Sequence, residues 1–207
     1  MLNNTIKLKN YVWLVIVLIG ALAYTLYLNY NLKEDLEDYK GYYKSVAVKY
    51  IQEIMEKPEM TAPDMEVTSV DFDSNMLLFQ DLDGTQFSLR DFQDKILFIN
   101  YWATWCNPCL AEMPNMAELY NEYKDNNEIV FLYLSKEDAQ TIIDYIPKDE
   151  SLKYLPIYKI ITDDDLFATS GIPTTFIVNR KGEILVKDVG SALWNDSSVV
   201  NYINNLL

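Results

Sequence analysis

Cys106 and Cys109 are the only cysteines of the 207-residue chain, and they lie in NYWATWCNPCLAEMP, residues 100–114. Two thiols at this spacing can serve as a redox pair, a metal clip or a structural staple. The chain has no histidine. That removes Ser-His and Cys-His nucleophiles and every imidazole ligand. Two cysteines also fall short of the four thiolates, or two thiolates plus two imidazoles, of a structural zinc site, so only a metal shared between subunits remains. A staple that closes a two-residue loop constrains little of the unfolded chain.

The redox reading draws on the residues after the pair. Asn107 to Lys124 has helical periodicity, with Leu110, Met113, Met116, Ala117 and Tyr120 on one face. Cys106 then stands at a helix start, where free N–H groups and the helix dipole favour a thiolate. Cys109 lies one turn further in. A Cys106 thiolate can attack a substrate disulfide, and Cys109 can then attack Cys106 and release reduced substrate; the reverse sequence oxidises a dithiol. Glu112, three residues beyond Cys109, shares its helix face. It reads either as a partly buried general base with a raised pKa or as a surface carboxylate favourable to the dipole. Asn107 and Pro108, between the sulfurs, are expected to tune the reduction potential. Trp105 is expected beside the sulfurs, in contact with substrate, Trp102 in packing, and Pro114 at a kink.

The elements that must hold this stretch are legible around it. Lys95–Ala103 is an apolar run, as in a central strand buried on both faces. Leu77–Phe79 and Gln86–Leu89 form a hairpin around Asp83-Gly84. Glu128–Ser135 reads as a second buried strand and Glu137–Tyr145 as a helix. Pro147–Pro156 reads as irregular. Pro173–Asn179 and Gly182–Gly190 read as two strands, and Asp196–Leu206 as a last helix. A β-α-β unit followed by a hairpin and a helix predicts an α/β sandwich with a mixed central sheet.

Ahead of this domain, Tyr11–Leu28 carries no charge, and its 18 residues make a helix of about 27 Å, close to one hydrocarbon core. Lys7 and Lys9 precede it, so the N-terminus is expected in the cytoplasm and the rest outside. The expected divisions are a cytoplasmic N-terminus at 1–10, a transmembrane signal-anchor at 11–30, a helical stalk and linker at 31–62, and the domain at 63–207. A cleaved leader ending after Ala21-Leu22-Ala23 is the competing reading, but apolar residues continue to Leu28 and Tyr24 is a bulky first mature residue. Leu32, Leu36, Tyr39, Tyr43, Val46, Tyr50 and Ile54 form a helical stripe, either continuing the membrane helix or packed on the domain. Pro58 and Pro63 punctuate the linker. A net charge of −14 and the lack of a basic run argue against nucleic acid as a partner.

The element order, Trp105 with the C-x-P-C, Pro114 and the downstream Ile172-Pro173-Thr174 resemble the thioredoxin fold. More narrowly they resemble the membrane-anchored TlpA/ResA-like thiol–disulfide oxidoreductases, over about Pro63 to Leu207. The resemblance implies that Cys106 is the exposed nucleophile and Cys109 the resolving cysteine. It places Pro173 after a cis peptide bond beside the pair, with Ile172 and Thr174 next to substrate. Asn100 stands where cytoplasmic thioredoxins hold a buried aspartate, and Glu112 where ResA-like proteins have an active-site glutamate. With Asn100 replacing an acid, Glu112 is the nearest candidate for proton handling.

The resemblance further implies protein thiol or disulfide substrates outside the cytoplasm, such as apocytochrome c, and a membrane thiol–disulfide electron donor, with no cofactor and no metal. Reduction is the expected direction, with a dithiol oxidase or isomerase as the alternative. Peroxiredoxin chemistry is rejected because Ile99 and Ala103 occupy the positions of its Pro and Thr/Ser. A metal chaperone or binding module of the same fold is the remote alternative, since copper chaperones of this fold use C-x-x-x-C and a distant histidine.

Overall fold

The computed structural model describes residues 2–56, 58 and 69–207, with side chains from residue 18 onward except at 54. The chain divides into two compact units, Met1–Val46 and Ala47–Leu207. Helix α1 (Leu2–Ile54) makes up the first and enters the second. Among the described residues, no helix is long and apolar enough to cross a membrane. The expected anchor at 11–30 lies within α1, and the side chains of its residues 11–17 lie outside the description. Pro63 and most of the expected linker also lie outside the described residues.

The second unit starts earlier than the expected boundary at residue 63. Val48 packs on the core, the Gln52 side-chain amide donates to the Ala111 carbonyl at 3.1 Å, and the Leu193 N–H donates to the Glu56 carbonyl at 2.8 Å. Leu32, Leu36, Tyr39, Tyr43, Val46 and Tyr50 are each exposed.

Among the described residues, the strands form one sheet in the order β2-β1-β5-β4-β3-β6-β7. They are β1 (Leu78–Asp81), β2 (Gln86–Ser88), β3 (Ile96–Tyr101), β4 (Ile129–Ser135), β5 (Ile157–Thr162), β6 (Thr174–Val178) and β7 (Ile184–Val189). β3, β4 and β5 run parallel, and the other pairings are antiparallel, which gives the expected mixed sheet. The helices are α2 (Asn107–Tyr123), α3 (Ala139–Tyr145) and α4 (Ser197–Leu206). β5 has no counterpart among the sequence expectations. Its solvent-side residues and its flank at Pro156 conceal it, yet it joins the β1–β2 hairpin to β4.

Strand alternation sorts the core into two layers. Ile96 and Phe98 of β3 join Leu110, Met113 and Met116 of α2, Ile142 of α3, and Val199 and Ile203 of α4. Leu97, Ile99 and Tyr101 face the other way, toward Leu77, Phe79, Leu89 and Phe167. The three helices therefore share one layer, and the opposite face carries the short 3-10 turns at Leu89 and Phe167. Gly182 turns β6 into β7 with φ +83, and a Cβ there would lie 2.5 Å from the Val70 carbonyl oxygen. That approach lets the Val70 N–H donate to Gly182 O at 2.7 Å, so only glycine fits.

Candidate active site

Cys106 is the N-cap of α2, at the carboxyl end of β3. It forms a disulfide with Cys109, with Cα atoms 5.3 Å apart. The Cys109 N–H donates to Cys106 Sγ at 3.2 Å, so an otherwise orphaned helix N–H points at the reactive sulfur. The same donor would stabilise a thiolate once the bond is reduced. Pro108 occupies the first turn, where its missing N–H removes no helical bond. Asn107 and Pro108 are both half-buried.

The Ile172–Pro173 peptide is cis, as the resemblance implies. The Ile172 carbonyl lies 3.7 Å from Cys106 Sγ, and Pro173 O accepts from the Gly190 N–H at 2.9 Å. Trp105 is exposed and Trp102 is buried, as expected. Beside them a cavity of about 490 Å³ is lined by Trp102, Trp105, Lys136, Glu137, Gly171 and Ile172.

Two expectations need correction. Cys106 is only 4% exposed in the disulfide form, not an exposed sulfur, because Ile172 and the helix end enclose it. Thr174 is fully buried, and its hydroxyl donates to the Gly171 carbonyl at 2.7 Å. Its side chain is turned inward and holds the loop that carries Ile172.

Glu112 is wholly buried, which decides against a surface carboxylate. One turn of α2 separates it from Cys109. Its Oε1 accepts from the Asn100 side-chain amide at 3.0 Å, and its Oε2 accepts from the Ala192 N–H at 3.2 Å and from Trp194 Nε1 at 3.0 Å. Burial, with a smaller contribution from the charge of Asp188, pushes its pKa up to about 8 against the three donors.

The sheet explains why these groups meet. Asn100 has the parity of Ile96 and Phe98, so it faces α2. In register beside it lie Tyr133 of β4 and Thr175 of β6, and Thr175 is paired in turn with Asp188 of β7. A polar row thus crosses four strands beneath Glu112. The Asn100 Nδ2 group donates to both Glu112 and Thr175 Oγ1, the latter at 2.9 Å, while its Oδ1 is buried with no partner.

Glu137 belongs to the site but not to the sequence expectations. It lies ahead of α3, and its carboxylate accepts from the Thr104 N–H at 2.6 Å and the Thr104 hydroxyl at 2.8 Å. That clamps the loop leading to Trp105 and Cys106. The available signal was position, at the carboxyl end of a parallel strand, where α/β sheets gather their sites.

A C-x-x-C disulfide capping a helix, faced by a cis-proline loop on a thioredoxin-like mixed sheet, defines a thiol–disulfide oxidoreductase. The Redoxin family model matches residues 57–203, and the chain belongs to that family. It is 30% identical over 177 residues to the thiol-disulfide oxidoreductase ResA of Bacillus thuringiensis subsp. konkukian, covering 83% of this chain and 82% of the relative. Its identity to ResA of Geobacillus kaustophilus is 30% over 173 residues, covering 83% and 80% of the two chains. A thiol:disulfide interchange protein from Bacteroides sp. superposes with a TM-score of 0.52 at 26% identity, over 62% of this chain and 86% of that one.

Proposed function

We propose that this oxidoreductase is anchored in the cell membrane and, outside the cytoplasm, reduces disulfides in exported proteins, with apocytochrome c as a representative substrate. The observation that carries the reductive reading is the buried Glu112, one turn from Cys109. The uncharged Tyr11–Leu28 segment after Lys7 and Lys9 supports the anchor and the orientation. The relatives named ResA support the chemistry.

In the reduced protein, the Cys106 thiolate attacks one sulfur of the substrate disulfide. The substrate S–S bond breaks, one substrate thiolate leaves, and a mixed disulfide forms through Cys106. Glu112 takes the Cys109 proton, and the Cys109 thiolate attacks Cys106 Sγ. The second substrate thiolate leaves, and the Cys106–Cys109 disulfide is the product. Two electrons pass to substrate, and a membrane dithiol donor restores the pair. Asn100 follows the Glu112 proton: Nδ2 faces the carboxylate, and half a turn of the amide presents Oδ1 to the neutral acid. Trp105 and the backbone of Ile172 contact the substrate segment. Asn107 and Pro108 set the potential through their contact with the pair.

The test is the reduction potential together with turnover. A potential below about −250 mV and reduction of a c-type apocytochrome disulfide support the proposal, whereas one near −120 mV makes the protein a dithiol oxidase.

A further inference from the structure

The mechanism leaves one feature of the second half of α1 unused. Between Asn31 and Val46, the apolar residues are Leu32, Leu36, Tyr39, Tyr42, Tyr43 and Val46. All but Tyr42 fall on one line with alternating steps of four and three, and the same register reaches Tyr50. They are between 47% and 68% exposed, an apolar seam without cover on an otherwise charged helix. Steps of four and three average 3.5 residues, the period of a left-handed coiled coil, with Leu32, Tyr39 and Val46 at d and Leu36, Tyr43 and Tyr50 at a.

The positions around the seam specify its occupant. Asp35 falls at g and Lys40 at e, five residues on. In a parallel pair in register, each Asp35 faces the partner copy's Lys40, once on each side of the twofold axis. An antiparallel pair would set e against e, lysine against lysine. Asn29 occupies the preceding a position, where a polar residue fixes register and a two-stranded state. Gly41 falls at f, furthest from a partner, where its lack of a side chain leaves no hole in the seam.

We infer that the Leu32–Val46 segment of α1 pairs with the same segment of a second copy as a parallel, in-register coiled coil, making the protein a homodimer. The oxidoreductase activity itself does not require this pairing.

The test uses the full chain in detergent micelles, with Cys106→Ser and Cys109→Ser so that only introduced thiols react. Single variants Leu36→Cys and Tyr39→Cys should cross-link to homodimers at least about tenfold faster than Asp38→Cys and Gly41→Cys, which point away from the seam. Equal rates at all four positions, absence of homodimer, or cross-linking to a different polypeptide overturns the proposal. With the active-site cysteines restored, Leu36→Glu combined with Tyr43→Glu should convert dimer to monomer by sedimentation while disulfide-reductase turnover is unchanged; a wild-type monomer overturns it. Asp35→Lys should weaken the dimer, and adding Lys40→Asp should restore it. Failure of that rescue overturns the parallel register.

Discussion

The Asn100 amide donates to the Glu112 carboxylate at 3.0 Å, tying β3 to α2 inside the core and holding a carboxyl group one turn from Cys109. Glu112 combines full burial, three N–H donors and a pKa near 8. A carboxyl group in that condition is neutral at low pH and accepts a proton near neutrality, as a base for a thiol requires.

Glu112→Gln should slow the resolution step. General base catalysis is worth about 10²-fold or more, so decay of a preformed mixed disulfide on Cys106 should slow by about that factor. The wild-type rate should climb with pH toward a plateau above about 8, and the variant should lack that limb. Stopped-flow thiol release across pH checks both.

The same substitution should alter stability with pH. Burial raises the folded Glu112 pKa to about 8 from an ordinary 4.5, so between those values the folded state binds more protons than the unfolded state. The neutral acid's contribution is fully present below about 4.5 and is lost as pH rises toward 8. Oxidised Glu112→Gln should therefore gain on wild type across that window, with the gap growing by an amount on the order of 3–5 kcal/mol and levelling above it. Urea unfolding at pH 4, 6 and 9 measures the gap, and a constant difference would remove Glu112 as the cause.

Trp194→Phe deletes one donor to Glu112 Oε2 while keeping an aromatic ring at a fully buried position. Losing a hydrogen bond to the charged form moves the pKa up, by roughly one unit. The midpoint of the resolution rate's pH profile should shift upward accordingly, and an unchanged midpoint counts against the assignment.

Cys109→Ala should trap substrate. The variant keeps the Cys106 thiol but cannot resolve the mixed disulfide, so adducts with exported proteins should accumulate and be identifiable by mass spectrometry. Cys106→Ala should accumulate none. Adducts through Cys109 alone would reverse the two roles.

Glu137→Ala leaves the Thr104 N–H and hydroxyl without the acceptor they share. The expected cost is about 1–3 kcal/mol of stability, together with a lower rate of attack on substrate, because the loop before Trp105 loses its clamp. Glu137→Gln retains one acceptor and should recover part of both. A rate unaffected by either variant would make Glu137 a packing residue only.

Most of the site's parts were legible as local chemistry. The cysteine spacing, the helix start at Asn107 and the proline of Ile172-Pro173-Thr174 are each written in a few adjacent residues. The helix start is legible because helical periodicity and capping depend on near neighbours. Glu112 was visible as a candidate, but sequence spacing left open whether it lay inside or on the surface. Thr175, Trp194, Asp188 and Glu137 carried no such signal. Their roles arise from strand register, which sets Thr175 beside Asn100 of β3 across 75 residues, and from a loop that returns Trp194 to Glu112 of α2 across 82.

The amino-acid order by itself determined the α/β alternation, the redox pair and the exclusion of histidine chemistry, because each follows from composition or from contacts within a helix turn or strand. It also wrote the seam on α1, whose period needs no other element to be read. Only the tertiary structure decided that β5 joins the hairpin to the sheet, that Thr174 is buried behind the cis-proline, and that Glu112 lies above a polar row spanning four strands. A carboxyl group's proton affinity depends on the dielectric and the donors around it. Those surroundings came together only when distant strands paired in one register.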